Sequence, residues 1–554
     1  MKYTDAWDLN EKVGRIIDAL GMNHINKSRV HCIRSRGSST RCVIARCHTL
    51  SKVLQHSMRL EPFYVIEALS ERFDKMSEEE QMKTLIHELC LPYEEPIVVK
   101  TDSGLEIKSI GEFVEQEFSR AKTLNQLGVL EWIRPYKSFK VISYNIEKKR
   151  VELSNVTKLI RIPNTSKKLL SVITKDGRRI EVTPEHPILY TKNADSYDHP
   201  GRTAKIRICQ AAELARLKGI PRLLTLFKLN NLDKLATEID ISDHFKHFSS
   251  LSKVSGRGKV LIENSKIKRF WVKGLPLPAK FKLDKKLGQF FGLYLSEGSI
   301  DHGSGAVSFS FHSRETKYQE LVKNVLRERF NLEPKERTPH GKCKIIYVNS
   351  RLLQVLIKDV FGFGEKARHK KIPSFAHFAP IEFVAGLIDG WFAGDGTAFF
   401  NQNNAITLSA FSKSQRLIFG MLLLLARLGI VARLRREMQD ILIQSFFVPK
   451  FYRYCKLLIE SKDLQQKVLL IRRMKHENRF KCVKYIKLRS IKQRRHVSAY
   501  VYNLEVEPNN NFLHASGLFT HNCHIPKTFG GGFRHHDFVT RKNVETLYRK
   551  FFEK

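Results

Sequence analysis

Four residues, widely separated in the chain, are of the types needed by a segment that cuts itself out and rejoins its flanks. The thiol of Cys90 can attack the Leu89 carbonyl and turn the Leu89–Cys90 amide into a thioester. Cys523 can then take over the acyl group by thiol–thioester exchange, each cysteine acting as its thiolate. Asn522 can cyclise through its side-chain amide and break the bond before Cys523, with His521 next to it to assist. An S-to-N shift would leave an ordinary peptide bond. Removal of residues 90–522 would join His87-Glu88-Leu89 to Cys523-His524, and the new junction would read His-Glu-Leu-Cys-His.

That junction is an HExxH word. The stretch FYVIEALSERFDKMSEEEQMKTLIHEL ends with helical spacing at Met82, Leu85, Ile86 and Leu89. After joining, His87 and His524 lie at i and i+4 on one helical face, where two imidazoles can share a Zn²⁺ ion. Glu88 between them is the natural general base for a zinc-bound water. The downstream run TFGGGFRHHD offers a third ligand, His535 or His536, with Asp537 beside them. An HExxH arising by chance across a junction fixed on other grounds has odds of roughly one in several thousand. The joined ends, residues 1–89 and 523–554, resemble small phage-type and archaeal zinc metallopeptidases, which implies a split α-rich or α+β zincin-like flank. Cys32, Cys42, Cys47 and His48 have no standard zinc spacing, and ordinary thiols are the expectation there.

Within residues 90–522 the two ends resemble inteins. GRRIEVTPEHPILY looks like the internal histidine motif, with Thr183 and His186 in a T-x-x-H arrangement. The resemblance implies that His186 protonates the scissile Leu89–Cys90 amide, a general-acid role suited to imidazole. VYNLEVEPNNNFLHASGLFTHNC looks like the C-terminal motif, with His521 assisting Asn522; Asn503 stands where the family often has Asp. Family members frequently read His-Asn-Phe where this chain has Asn510-Asn511-Phe512, and His514 is a candidate second assisting histidine. The resemblance implies an all-β Hint horseshoe that brings both junctions together. Strand alternation in LLSVITKDGRRIEVT and HVSAYVYNLEVEPNNNFLHASGLF fits it.

A different texture lies between those β segments. LDKKLGQFFGLYLSEGSI and EFVAGLIDGWFAGDGTAFF are apolar helical stretches that each end in acid-Gly, and their acids, Glu297 and Asp395, are 98 residues apart (395 − 297). Each is followed by a strand, a helix, further strand and another helix, an internal duplication. In the second copy the strands are expected at VARLRREM and ILIQSFFV. The pattern resembles the LAGLIDADG, or DOD-type, homing endonucleases, whose paired helices pack through glycines such as Gly292 and Gly390. The resemblance makes Glu297 and Asp395 the Mg²⁺ ligands, hard oxygens suited to that ion, and makes Asp389 a mid-helix decoy. HKKIPSF resembles a further motif of these nucleases and points to Lys371. Lys342, Lys344, Arg433, Arg435 and Arg436 on the hairpins are candidate contacts to double-stranded DNA, and the Lys/Arg-dense run from Lys450 to Arg495 is suited to phosphate neutralisation.

The expected architecture is multidomain: flank 1–89, Hint N-terminal region 90–225, an unassigned stretch 226–280, an α+β duplicated endonuclease 281–470, Hint C-terminal region 471–522, and flank 523–554. The formal charge of +40 agrees with a nucleic-acid partner. Nine unevenly spaced cysteines do not suggest a disulfide framework, and the start MKYTDAWDLNEKV lacks signal-peptide character, so a cytoplasmic protein is expected. The most apolar run, IFGMLLLLARLGIVARL, is broken by Arg427, so no membrane span is expected. Two rival readings use the same residues: an intact bifunctional enzyme that never splices, and a DNA-binding protein with degenerate splicing and nuclease sites.

Overall fold

The computed structural model describes residues 2–19, 27–36, 45–49, 64–70, 74, 90–127, 130–164, 168–184, 186–192, 206–217, 219–230, 235–242, 260–263, 266–269, 276–301, 303–400, 402, 404–469, 482–495 and 498–522. The chain divides into two compact units, one of residues 1–88, 125–131 and 524–554, the other of 89–124 and 132–523. His87, Glu88, Leu89, Cys523, His524, His535, His536 and Asp537 lie outside the described residues, as does Cys42.

In the first unit, Val30–Arg36 is the pivot of a four-stranded sheet. It pairs antiparallel with Lys2–Asp5 and parallel with Tyr64–Leu69, and the latter pairs with Ala45–Thr49. The helix Trp7–Ala19 lies on this sheet, burying Leu9 and Val13 with Cys32, Val65 and Ala68. Arg34 forks onto both oxygens of Asp8, at 2.5 and 2.7 Å, and reaches Asp74 at 2.8 Å. Cys32 is a buried thiol, its pKa raised by burial.

The second unit begins with two antiparallel sheets whose strands come from both ends of the segment. The first runs in the order Leu91–Pro92, Tyr500–Glu507, Arg150–Pro163, Phe139–Asn145, Pro96–Thr101, Gly104–Ser109. The second runs Arg179–Val182, Lys168–Thr174, Val483–Arg495, Arg222–Leu226, Pro187–Thr191, Arg207–Gln210. Interleaving of early and late strands is what sets the start of the segment beside its end, with Leu91 opposite Tyr502. The chain leaves the second sheet at Leu226 and re-enters it at Val483, its direct register partner.

Between those two points two helices cross face to face, Lys285–Glu297 and Ile381–Asp395. The approach is close enough to demand glycine. A Cβ on Gly292 would sit 2.3 Å from the Leu387 carbonyl oxygen, and one on Gly390 would sit 2.2 Å from that of Gln289. Gly288 and Gly386 meet the partner backbone in the same way. Each helix feeds a four-stranded sheet of matching strand order: Gly298–Asp301, Ala306–His312, Cys343–Asn349, Lys335–His340 in the first copy, and Gly396–Phe400, Ile406–Phe411, Asp440–Ile443, Arg433–Arg435 in the second. The strand expected over VARLRREM is only Arg433–Arg435, because Arg436, Glu437 and Met438 all take positive φ (46°, 54°, 65°) and turn the chain into Asp440–Ile443. Stacked and edge-on phenylalanines fill the first copy, with Phe291 and Phe363 at 4.5 Å between centroids.

Described pieces of the unassigned stretch form small sheets. Glu238–Asp240 pairs with Lys280–Lys282, and Val260–Glu263, Lys266–Arg269 and Leu277–Pro278 pair in turn. Among the described residues no helix is long and apolar enough to cross a membrane.

Candidate functional site

Two separate sites emerge in the second unit. In the first, Leu91–Pro92 pairs with Tyr500–Glu507 in the register Leu91↔Tyr502, and continuing that register sets Cys90 opposite Asn503. The Thr183 N–H donates to the Cys90 carbonyl at 3.2 Å. Thr183 opens a turn closed by the His186 N–H on its own carbonyl at 3.1 Å, with Pro184 in the position where fixed φ favours such a turn. Cys90 and His186 are buried, at 2% and 0% exposure.

At the other junction, Asn511–Leu513 and Phe519–His521 form a hairpin with Asn511 opposite His521. Asn522 follows at its open end. The Asn522 N–H donates to the Asn510 carbonyl at 3.1 Å, and its side-chain Nδ2 donates to the Val506 carbonyl at 3.2 Å. Nδ1 of His521 lies 2.7 Å from the Asn522 carbonyl oxygen. A carbonyl can only accept, so Nδ1 carries the proton and is able to polarise that carbonyl. Thr520, which the sequence did not single out, has its hydroxyl 2.6 Å from His186 Nε2 and so links the two junctions.

His514 does not reach Asn522. It sits at the closed end of the hairpin, with Nε2 2.7 Å from Glu95 Oε2 and Nδ1 2.7 Å from Ser516 Oγ. Its ring pins the hairpin to the segment that follows Cys90, a fastening role. Asn511 is also occupied, donating to and accepting from the Tyr144 backbone at 2.9 and 2.8 Å. The buried Asn503 uses Oδ1 on the neighbouring Leu504 N–H at 2.6 Å.

In the second site the paired helices end at Glu297 and Asp395. Asp284 caps the first helix through the Leu287 N–H at 3.0 Å, and Pro380 precedes the second. Gly298 and Gly396, which follow the acids, have negative φ; space makes them glycine, since added Cβ atoms would lie 2.3 Å from the Tyr294 ring and 2.1 Å from the Phe392 carbonyl oxygen. A Cβ on Gly394 would stand 2.7 Å from Glu297 Oε1, which puts that carboxylate over the end of the second helix. Burial, and then the charge of Asp395, pushes Glu297 up to about 7. Burial pushes Asp395 up to about 6, against the pull of Lys370 and of the Trp391 indole N–H that donates to it at 2.9 Å.

The lysine beside this pair is Lys370. The sequence pointed to Lys371, but Lys371 is exposed and its side chain lies by Gly362. Lys370 is buried, and its Nζ donates to the carbonyls of Gly298, Tyr294 and Ser296 at 2.8, 3.0 and 3.4 Å, at the negative end of the first helix. Burial lowers its pKa to about 8 although both acids hold it up. Lys370 follows a turn closed on the Lys366 carbonyl at 3.1 Å, and packing alone distinguishes the two adjacent lysines. Asp389 is mid-helix, accepting from Gln289 Nε2 at 2.9 Å and from the Leu457 N–H at 2.8 Å, and burial raises it to about 6. The glycines 288 and 386 were also missed; their four-residue spacing from Gly292 and Gly390 was the available signal.

Among the hairpin cations, Lys342, Arg433, Arg435 and Arg436 are exposed, whereas Lys344 is paired with Glu336 at 2.6 Å. Arg435 also meets Asp440 at 2.8 Å and lies over the Phe399 ring, and Arg436 lies over Phe411. Two partly buried carboxylates, one of them raised further by the charge of the other, are a donor set that a divalent cation satisfies; among the described residues no group of three potential ligands occurs.

Comparison with known proteins gives residues 1–96 as a match to the phage metallopeptidase family and residues 98–522 as a match to the intein splicing domain. The chain is 27% identical over 380 residues to the DNA-directed RNA polymerase subunit Rpo1C of Methanocaldococcus jannaschii, covering 68% of this chain and 40% of that protein. It is 26% identical over 332 residues to the DNA polymerase II large subunit of Thermococcus kodakarensis, covering 54% of this chain and 18% of that one. The chain therefore spans less than half the length of these relatives. Similar solved structures include the transcription factor IIB Mvu mini-intein (18% identity, 26% of this chain, 73% of that one, TM-score 0.22). Another is a mesophilic variant of the homing endonuclease I-DmoI (12% identity, 32% of this chain, 96% of that one, TM-score 0.24).

Proposed function

Because the chain belongs to the intein splicing-domain family, we propose that it excises residues 90–522 from itself, that the excised segment cleaves double-stranded DNA, and that the rejoined flanks form a zinc metallopeptidase. The observation that carries the splicing reading is the meeting of the two ends: the Thr183–His186 turn holds the Cys90 carbonyl, and His186 in turn touches the strand that leads into Asn522. Cys90 sulfur attacks the Leu89 carbonyl carbon; the C–N bond breaks, and the freed Cys90 amine takes a proton that His186 is placed to supply. Cys523 sulfur then displaces Cys90 sulfur from the acyl carbon. Asn522 Nδ2 attacks its own carbonyl carbon, activated by His521, and the bond to Cys523 breaks as a succinimide ring closes. Burial of these groups keeps water from the thioester.

For the nuclease, Glu297 and Asp395 are the Mg²⁺ ligands, and the metal when bound would polarise phosphate and water. Lys370 has all three ammonium protons taken by carbonyls, so it acts as a fixed positive charge that favours the ionised form of both acids against the effect of burial, and not as a phosphate hook. Lys342, Arg433, Arg435 and Arg436 meet the DNA backbone or bases. Its target would be the uninterrupted gene at the HELCH codons. In the spliced flank, His87, His524 and His535 or His536 hold Zn²⁺, and Glu88 is the base.

Intact-mass spectrometry after expression in a neutral cytosol tests splicing. Two products, one of residues 1–89 joined to 523–554 and one of residues 90–522, are expected, and Asn522→Ala should leave precursor or branched species instead. An unchanged product pattern in that variant would refute the mechanism. Metal analysis of the joined flanks should then give about one zinc per chain.

A further inference from the structure

The strand Phe519–His521 presents successive side chains to opposite sides, as any strand must. His521 serves its own junction by reaching the Asn522 carbonyl. Thr520 faces the other way, and its hydroxyl meets Nε2 of His186 at 2.6 Å across 334 residues of sequence. Both partners are closed off from solvent, at 1% and 0% exposure. The two nitrogens of an imidazole are distinct, and the partner of one decides how the other is aimed and whether it carries the proton.

We propose that Thr520 is a positioning residue for the first step of splicing: its hydroxyl fixes the Nε2 edge of His186 so that Nδ1 is held for the Leu89–Cys90 amide. This rests on the splicing reading and adds a condition to it. The His186 turn and Cys90 belong to the early part of the fold, yet the ring is oriented by the last strand before the C-terminal junction. Thioester formation therefore waits until that strand has docked. A thioester formed sooner would lack Cys523 and Asn522 in place, and water would release the first flank unjoined. Thr520 thus makes the order of the chemistry follow the completion of the fold.

The test uses the full chain carrying Asn522→Ala and Cys523→Ala, which stops at the thioester, and follows release of residues 1–89 by dithiothreitol. Thr520→Val removes the hydroxyl at nearly constant shape; release should slow about tenfold, the worth of one buried hydrogen bond. Thr520→Ser should restore most of the rate, and the pH–rate profile of the valine variant should shift, because the untethered ring titrates differently. Cleavage after Asn522, measured in a Cys90→Ala chain with Asn522 intact, should be the same with and without Thr520→Val to within about twofold, since His521 acts there. Equal release from the valine variant and its parent overturns the proposal. So does a serine variant as slow as valine, or equal slowing of both cleavages, which would assign Thr520 to packing alone. If the Thr520 parent itself shows no thiol-dependent release, the splicing reading falls first and the proposal with it.

Discussion

Replacing Glu297 by glutamine should destroy DNA cleavage and make the metal-free protein more stable, and the second effect should depend on pH in a defined sense. Glu297 is held near 7 in the folded chain, raised from 4.5 by burial and by the neighbouring Asp395 charge. Between those values the folded chain binds more protons than the unfolded one, so stability falls as pH rises through this window. Above pH 7 the ionised carboxylate destabilises the fold by up to about 3 kcal/mol, from roughly 2.5 pH units at about 1.4 kcal/mol each. Below pH 4.5 the penalty vanishes. Glu297→Gln should therefore raise the unfolding temperature of this unit at pH 8 by about 6 °C, at about 2 °C per kcal/mol for a domain of this size, and change it little at pH 4. Calorimetry in chelator, on chains kept intact by Cys90→Ala and Asn522→Ala, gives both numbers. Added Mg²⁺ should stabilise the Glu297 chain and leave the glutamine chain unmoved, because only a ligand of the native state contributes. A glutamine chain no more stable than its parent at pH 8 would refute the charge-crowding argument, and surviving cleavage would refute the assignment of Glu297 itself.

Other consequences follow from the same geometry. Lys370→Met removes the cation that favours the ionised form of both acids, so the acid limb of the cleavage pH profile should move upward and kcat should fall about 100-fold, whereas Lys371→Met should leave both unchanged. Gly390→Ala puts a methyl 2.2 Å from the Gln289 carbonyl oxygen, and overpacking should destabilise the helix pair by about 3 kcal/mol in denaturant titration. Asp389→Leu strands the Gln289 amide and the Leu457 N–H, so it should cost about 2 kcal/mol while Mg²⁺ binding at the acid pair, read by titration calorimetry, persists; lost binding would return Asp389 to the site.

The parts that were legible in the sequence are those whose chemistry dictates residue type and place. Cys90 is the proposed junction nucleophile because it stands at a break in the HExxH word, and the acid that ends each of the two paired helices is marked by its repeat. The Lys370–Lys371 choice was not legible: the two are adjacent residues of one type, and burial under the first helix end selects one. Thr520 was invisible for a similar reason, since its importance comes from a partner far away in sequence. His514 looked catalytic by its nearness to Asn522 along the chain, but hairpin register puts it at the far end. VARLRREM alternates apolar and polar only from Ala432 to Arg435, which is where the strand forms; the three polar residues from Arg435 to Glu437 end the pattern, and a left-handed run at Arg436, Glu437 and Met438 turns the chain. His87 and Glu88 fall within the family match over residues 1–96, whereas the reading of His524, His535 and His536 as zinc ligands rests on spacing.

The paired-helix insertion and the two sheets that hold Cys90 and Asn522 are not beads on a string. Leu189, Leu224 and Leu226 of the second sheet share one apolar core with Leu422, Leu425 and Ile430 of the insertion. So do Leu513 and Phe519 of the hairpin that leads to Asn522. The Leu434 N–H, between two of the candidate DNA-contacting arginines, donates to the Asp176 carbonyl at 2.8 Å, and Gly177 leaves no room for a side chain against the Leu434 carbonyl. Arg178, ion-paired with Asp176, then packs beside Gly517 in the turn of the same hairpin. An insertion that merely rode in a loop would leave the splicing sheets able to close by themselves, since Leu226 and Val483 are already register partners. Here the insertion also supplies apolar area on which the C-terminal hairpin rests. The alignment of Asn522 and His521 and the packing of the paired helices that end at Glu297 and Asp395 therefore draw on one shared core.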